Sequence, residues 1–211
     1  PAASTDRSVW CRWGDDMPTT VTFYASECVW GSSSFNSTTD LKVGKTGSSS
    51  SDGTKYKGRL TFDAIPSNWI IRSVTLKLNR IDSYNAHTLL FGGSTSGGFS
   101  ASLAFSFTQS ISKGTGSKSI DLTDYASVIQ GFGGTWYLHI RHGSGTNSYT
   151  EFNGDEDASS KKPQIVIVYD LATVWYRNGD SWVECEVWYR NGDAWVKVIP
   201  YYNSGGTWIQ V

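Results

Sequence analysis

The chain has 211 residues, a formal net charge of −1, 10 tryptophans, 22 glycines and a single methionine. That length holds one sizeable core with an appendage, and interleaved charges without a basic stripe or a long apolar run argue against nucleic acid and against membrane insertion. Abundant Gly, Ser and Thr, many aromatics and almost no helical periodicity point to an all-β sandwich or barrel with long polar loops.

Strands are predicted at 21–25 and 28–30, followed by a Ser/Thr/Asn-rich loop over 31–40. A strand edge at 41–44 precedes a flexible low-complexity loop over 47–53. The next strand, 56–62, puts Leu60 and Phe62 on one face and Arg59 and Thr61 on the other. After a turn at 65–68, residues 71–79 alternate, with Val74, Leu76 and Leu78 apolar and Thr75 and Lys77 polar. Strands at 88–91 and 103–107 flank a Gly/Ser-rich loop. Residues 120–132 are the one helix candidate: Asp121 or Thr123 caps it, Val128 and Ile129 face inward, and Gly131 ends it. A strong strand at 136–140 holds Trp136 as a core residue. A polar turn over 159–163 and a Val/Ile-rich strand at 164–169 close the main domain, and 170–173 joins it to the C-terminal segment.

That segment is repetitive. Residues 175–183, Trp-Tyr-Arg-Asn-Gly-Asp-Ser-Trp-Val, return at 188–196 and, weakened, at 201–209. Asn-Gly between short apolar runs is a hairpin signal, because a type I′ turn needs positive φ at both central residues. With Asn178-Gly179 at the turn, Arg177 faces Asp180 and Trp175 faces Trp182. By the same rule Trp188 faces Trp195, and Tyr201 faces Trp208 around Ser204-Gly205. Such cross-strand pairs contribute roughly 0.2–1 kcal/mol each. A lone hairpin is marginal in water, so the units stack on one another, on the main domain or on other copies. Their aromatic faces then form a meander core, an oligomer seam or a ligand surface.

The repeats, over 173–211, resemble the short Trp/Gly hairpin repeats near the C-termini of tail proteins in phages and prophages of Gram-positive bacteria. More loosely, they resemble the aromatic repeats of cell-wall-binding modules. Upstream, five segments occur in order: Leu41-Lys42-Val43-Gly44, Arg59-Leu60-Thr61-Phe62-Asp63-Ala64-Ile65-Pro66, Ile71-Arg72-Ser73-Val74-Thr75-Leu76-Lys77-Leu78, Ile120-Asp121-Leu122-Thr123 and Pro163-Gln164-Ile165-Val166-Ile167-Val168-Tyr169. This order is similar to that of the jelly-roll modules of the DNRLRE and disaggregatase-related group, which includes carbohydrate-binding modules. The middle departs from it: family members carry Trp-rich segments where this chain has the Gly/Ser-rich stretch around 92–102, so ligand contacts there do not carry over. The resemblances imply a jelly-roll-type β-sandwich over 1–170, followed by a small domain of three β-hairpin repeats over 171–211.

Residues that carry chemistry are sparse. No Gly-x-Ser-x-Gly elbow precedes a helix. His139 and His142, three apart on or just past a strand, point to opposite faces and make no joint metal site; His87 is distant from both in sequence. Asp15, Asp16, Glu151, Asp155, Glu156 and Asp157 suit glycoside hydrolysis only if two of them face across a cleft. Asn153, Asp155 and Asp157 alternate in a Gly-containing loop and are the best cation ligands: either they hold a structural calcium through oxygen or the loop is a solvated turn. No other cofactor is expected. Cys11, Cys28 and Cys185 are odd in number; Cys11 and Cys28 bridge if their strands are neighbours, and otherwise all three are ordinary thiols. Trp10, Trp13 and Trp69 are the indoles that either stack on a sugar ring or pack into the core.

The chain begins at Pro1, without an initiator Met, and reads as a fragment of a larger protein. The resemblances imply a non-catalytic receptor-binding or adhesion part of a phage or prophage tail apparatus. Its partner is a bacterial surface glycan, its assembly a homotrimer, and its place a tail particle or an extracellular surface. A carbohydrate-binding module of a secreted multidomain enzyme is one alternative, and a structural oligomerisation domain without ligand is another.

Overall fold

The computed structural model describes residues 18–35, 40–47, 53–145, 147–158 and 160–171, and beyond them the backbone of six strands. Eleven strands precede residue 172: β1 Thr19–Tyr24, β2 Glu27–Gly31, β3 Leu41–Lys45, β4 Lys55–Phe62, β5 Trp69–Ser83, β6 His87–Ser94, β7 Phe105–Ile111, β8 Gly116–Asp121, β9 Trp136–Ser144, β10 Ser148–Phe152 and β11 Gln164–Leu171. They form one curled sheet in the order β1-β11-β5-β10-β3-β4-β9-β6-β7, with β2 added on β4 and β8 on β5. β4 makes the corner. Its first residues pair with β3, and Gly58 to Phe62 pair with β9. The two layers close on each other there: a Cβ on Gly58 would lie 2.6 Å from Leu41 Cδ1. The fold is an all-β sandwich of jelly-roll type: composition predicts the all-β class, and the resemblance implies the jelly roll.

Alternation builds the core. Val74, Leu76 and Leu78 of β5 are buried, as are Leu60 and Phe62 of β4 and Trp136, Leu138 and Ile140 of β9. Phe62 stacks on Trp136 with centroids 5.2 Å apart. Each large apolar side chain so buried contributes roughly 1.5–3 kcal/mol.

Two regions of the sandwich depart from the sequence-based expectation. The predicted helix over 120–132 is divided. Residues 120 and 121 end β8, Thr123–Tyr125 form a 3-10 turn, and helix α1 covers only Ala126–Gly131. Ile120 lies opposite Leu76 in the β5–β8 ladder and is buried there, so the sheet consumes the apolar residue that had seemed to open a helix. Thr123 donates to Asp121 Oδ1 from N at 2.9 Å and from Oγ1 at 2.6 Å, which closes a local turn. Ile129 is buried whereas Val128 is exposed, so only one of the two faces inward. The second departure is β10, which sequence periodicity does not announce because its inward positions include Ser148 and Thr150. Thr150 Oγ1 lies 3.1 Å from Ser83 Oγ and 3.2 Å from His87 Nε2, and this buried polar chain lets hydroxyl residues face the core.

The described chain divides into two compact units. One is Thr20–Ser67 with Ile71–Val168; the other groups Asn68–Ile70 with Tyr169–Val211. In the second, three two-stranded sheets follow one another: β12 Val174–Asn178 with β13 Ser181–Cys185, β14 Trp188–Asn191 with β15 Ala194–Lys197, and β16 Tyr201–Ser204 with β17 Thr207–Gln210. The three repeats are therefore three hairpins, but in a different register from the one predicted. Trp175 lies opposite Glu184 and Trp182 opposite Arg177. Trp188 lies opposite Lys197 and Trp195 opposite Arg190. Tyr201 lies opposite Gln210 and Trp208 opposite Asn203. The expected pairs Trp175–Trp182, Trp188–Trp195 and Tyr201–Trp208 are not formed. Pairing begins at Asn178↔Ser181, so the two residues between the strands are Gly-Asp, and glycine first in a two-residue connection is the type II′ preference. Moving the connection by one residue moves every cross-strand partner by two.

Candidate functional site: a tyrosine saddle

The feature best suited to contact a ligand is assembled from β3, β4 and β10. Leu41 and Val43 of β3 point into the core, so Lys42 and Gly44 belong to the outer face. On β10, Thr150 and Phe152 are buried, and Tyr149 and Glu151 share the outer face with Lys42 and Gly44: Lys42 lies opposite Glu151 and Gly44 opposite Tyr149. On its other side Gly44 lies opposite Tyr56. One row across three strands therefore reads tyrosine, glycine, tyrosine, with the β10 backbone packed close against the glycine. The glycine is required. Its φ is +128°, and a Cβ would lie 2.4 Å from Ser148 O and 2.6 Å from Tyr149 Cα.

Lys42 fills the floor of this saddle. Its ammonium is 4.2 Å from the Tyr149 ring centroid and 5.5 Å from that of Tyr56, and 3.1 Å from Glu151 Oε1. Both charged side chains keep part of their surface in solvent, 22% and 33% respectively. Two rings extend the strip. Tyr84, in the turn after β5, lies parallel to Tyr149 at 5.8 Å and is 45% exposed; its N–H donates to Tyr149 O at 3.0 Å, which holds the turn in place. Trp30 meets Tyr56 edge-on at 5.4 Å. The arrangement offers apolar ring faces beside an ammonium donor and a carboxylate acceptor, a combination suited to a molecule with C–H faces and hydroxyl edges.

Of the three indoles singled out from the sequence, Trp69 alone is among the described residues. Trp69 opens β5 and stacks on Tyr169 with centroids 3.6 Å apart and planes within 8°, so packing covers one of its faces. Trp10, Trp13, Cys11, Asp15 and Asp16 lie outside the described residues, as do the side chains of Trp175, Trp182, Trp188, Trp195, Tyr201 and Trp208. Tyr56, Tyr84 and Tyr149 were missed. The available signal was Gly44 inside an otherwise apolar-alternating strand, a mark of close approach by another chain segment.

Each calcium ligand proposed from the sequence accepts a hydrogen bond from a protein donor. Asn153 Oδ1 accepts from Asn79 Nδ2. Asp157 Oδ2 accepts from Asn153 Nδ2 and from Gly154 N, both at 3.0 Å. Asp155 Oδ1 accepts from Cys28 N at 2.8 Å. Each side chain is thus directed at a protein donor, and among the described residues no three His, Cys, Asp or Glu residues gather to hold a metal ion. Burial, then the carboxylates of Asp157 and Glu151, raise the Asp40 pKa, and Asp40 shares a hydrogen bond with Asp157. Cys28 is a free, buried thiol and not half of a bridge; burial foremost, and the Asp155 charge next, push its pKa far up.

A second cluster, on the other layer, is structural. Four basic side chains clasp carbonyls of the segment between β6 and β7: Arg59 Nη1 donates to Gly97 O at 2.7 Å, His139 Nε2 to Ser96 O at 2.9 Å, Arg141 Nη2 to Ala101 O at 2.6 Å and Lys57 Nζ to Phe99 O at 3.4 Å. Arg59 also pairs with Glu27 and lies 5.3 Å from the Phe35 ring centroid and 5.1 Å from that of Tyr137.

No family model and no curated protein matches the chain. Among solved structures, naturally occurring empty particles of cowpea mosaic virus (top component) align with 85% of this chain and 92% of their own at 9% identity, with a TM-score of 0.22. A likeness that weak carries no argument. Among the described residues no helix is long and apolar enough to cross a membrane.

Proposed function

We propose that this chain is a non-catalytic glycan-binding protein, the receptor-binding or adhesion part of a phage or prophage tail apparatus that recognises a bacterial surface polysaccharide. The observation that carries the binding half is the saddle: Tyr56 and Tyr149 flank a side-chain-free position over the Lys42–Glu151 pair, with Tyr84 exposed beside them. A pyranose ring laid on these tyrosines presents its C–H face to the aromatic faces and its hydroxyls to the charged pair. The tail context rests on the resemblance of the C-terminal repeats to those of tail proteins. In this reading residues 1–170 bind and residues 171–211 assemble the protein as a homotrimer, in a tail particle or at an extracellular surface.

A glycan array, followed by titration of each hit against Tyr149→Ala, tests the binding half. Hits lost in that variant support it, and an array without hits contradicts it. Sedimentation equilibrium at micromolar concentration tests assembly: a trimer is expected, and a clean monomer contradicts the tail reading.

A further inference from the structure

A second polar feature lies where β5, β8 and the turn leading into β11 meet. Lys77 points outward between buried Leu76 and Leu78, and the β5–β8 register sets Ser119 opposite Lys77 and Ser117 opposite Asn79. A turn in which the N–H groups of Lys161 and Lys162 donate to Ala158 O, at 2.8 and 3.2 Å, brings Ser160, Lys161 and Lys162 to the facing wall. The cavity between them is about 230 Å³, and no Asp or Glu lines it. None of the three ammonium groups has an ion-pair partner among the described residues.

Three positive charges around one groove, with no acid to neutralise them, repel one another and attract an anion. The hydroxyls of Ser117, Ser119 and Ser160 add donors that are directional but uncharged. A tetrahedral oxyanion offers more acceptor oxygens than a planar carboxylate, and so satisfies more of these donors at once. The volume is below the roughly 300 Å³ at which ordinary ligand pockets begin, so the groove suits one charged group and not an oligosaccharide. No aromatic ring lines it, which leaves a nucleobase nothing to stack on.

We propose that this groove binds the phosphate group of a phosphodiester-linked polysaccharide. The polysaccharide part rests on the glycan reading above; the phosphate site stands on the groove alone. The test is an amide-resonance titration of the ¹⁵N-labelled chain with inorganic phosphate, with a polyol-phosphate polymer and with a single-stranded oligonucleotide of equal charge. Phosphate and polymer are expected to shift the amides of Ser117, Ser119 and Ser160 to Lys162. The combined Lys77→Ala, Lys161→Ala and Lys162→Ala variant, its fold verified by its own amide spectrum, is expected to lose about tenfold or more in polymer affinity. Tyr149→Ala leaves the phosphate shifts in place. Phosphate shifts that are absent, or equal in the triple variant, overturn the site. Shifts with phosphate but none with polymer, or tighter binding of the oligonucleotide, overturn the polysaccharide assignment. Intact phosphate shifts with no neutral-sugar binding at the saddle contradict the glycan reading alone.

Discussion

Gly44 is the residue on which the saddle depends. Any side chain there meets the backbone of β10 at Ser148 O and Tyr149 Cα, and the positive φ adds its own strain. Gly44→Ala is expected to destabilise the fold by roughly 1–3 kcal/mol, read as a lower urea midpoint. The histidines give a second residue-scale expectation. His87 Nδ1 lies 2.7 Å from Asn85 O, so it carries the proton and Nε2 accepts from Thr150 Oγ1 at 3.2 Å. Burial lowers the pKa of His87, outweighing the bond to Asn85 that raises it. Burial likewise lowers those of His139 and His142, and nearby cationic side chains lower them further. The unfolded chain takes up these protons near pH 6.5 while the folded chain still resists them, so stability is full above about pH 6.5 and falls as pH drops toward the folded values. Tm is expected to decrease from pH 7 to pH 5, with a shallower slope in His139→Gln; a flat or rising Tm contradicts this. At this scale the sequence was least informative about the site. Trp136 fills the core as expected, but ring size also drew attention to Trp69, which packs on Tyr169, and partly exposed tyrosines form the strip.

At the scale of elements, local pattern was legible wherever one strand's own alternation decides burial, as in β4, β5, β9 and β11. It failed where distant residues supply the order. The segment between β6 and β7 is rich in Gly and Ser and shows no period, yet Arg59 and Arg141, about 40 residues away on β4 and β9, hold its carbonyls. β10 failed for a related reason: the inward hydroxyl of Thr150 is satisfied by Ser83 and His87, which the sequence places far off. The hairpins were found but misregistered, because Asn-Gly and Gly-Asp overlap by one residue and each is an acceptable turn. Cross-strand backbone NOEs should connect residue 177 with 182, 190 with 195, and 203 with 208. NOEs joining 175 with 182 and 188 with 195 as directly opposed residues contradict that register.

At the scale of the whole molecule, composition and alternation led to an all-β sandwich, and the curl at β4 explains how the site arises. Pairing first with β3 and then with β9 lets β4 leave one layer for the other, and the row Tyr56, Gly44, Tyr149 sits on the layer it leaves. The lysine-lined groove lies on strands of the same sheet, between β5 and β8. The order of strands, which sets both features, follows from long-range pairing and was not readable from any one segment. The measurement that tests the account most directly is a calorimetric titration of an array-identified glycan into the wild-type chain and into Tyr149→Ala, with equal thermal unfolding of the two chains as the control. The account predicts roughly tenfold or greater loss of affinity, about 1.4 kcal/mol, with Tm unchanged; equal affinity in the folded variant contradicts it.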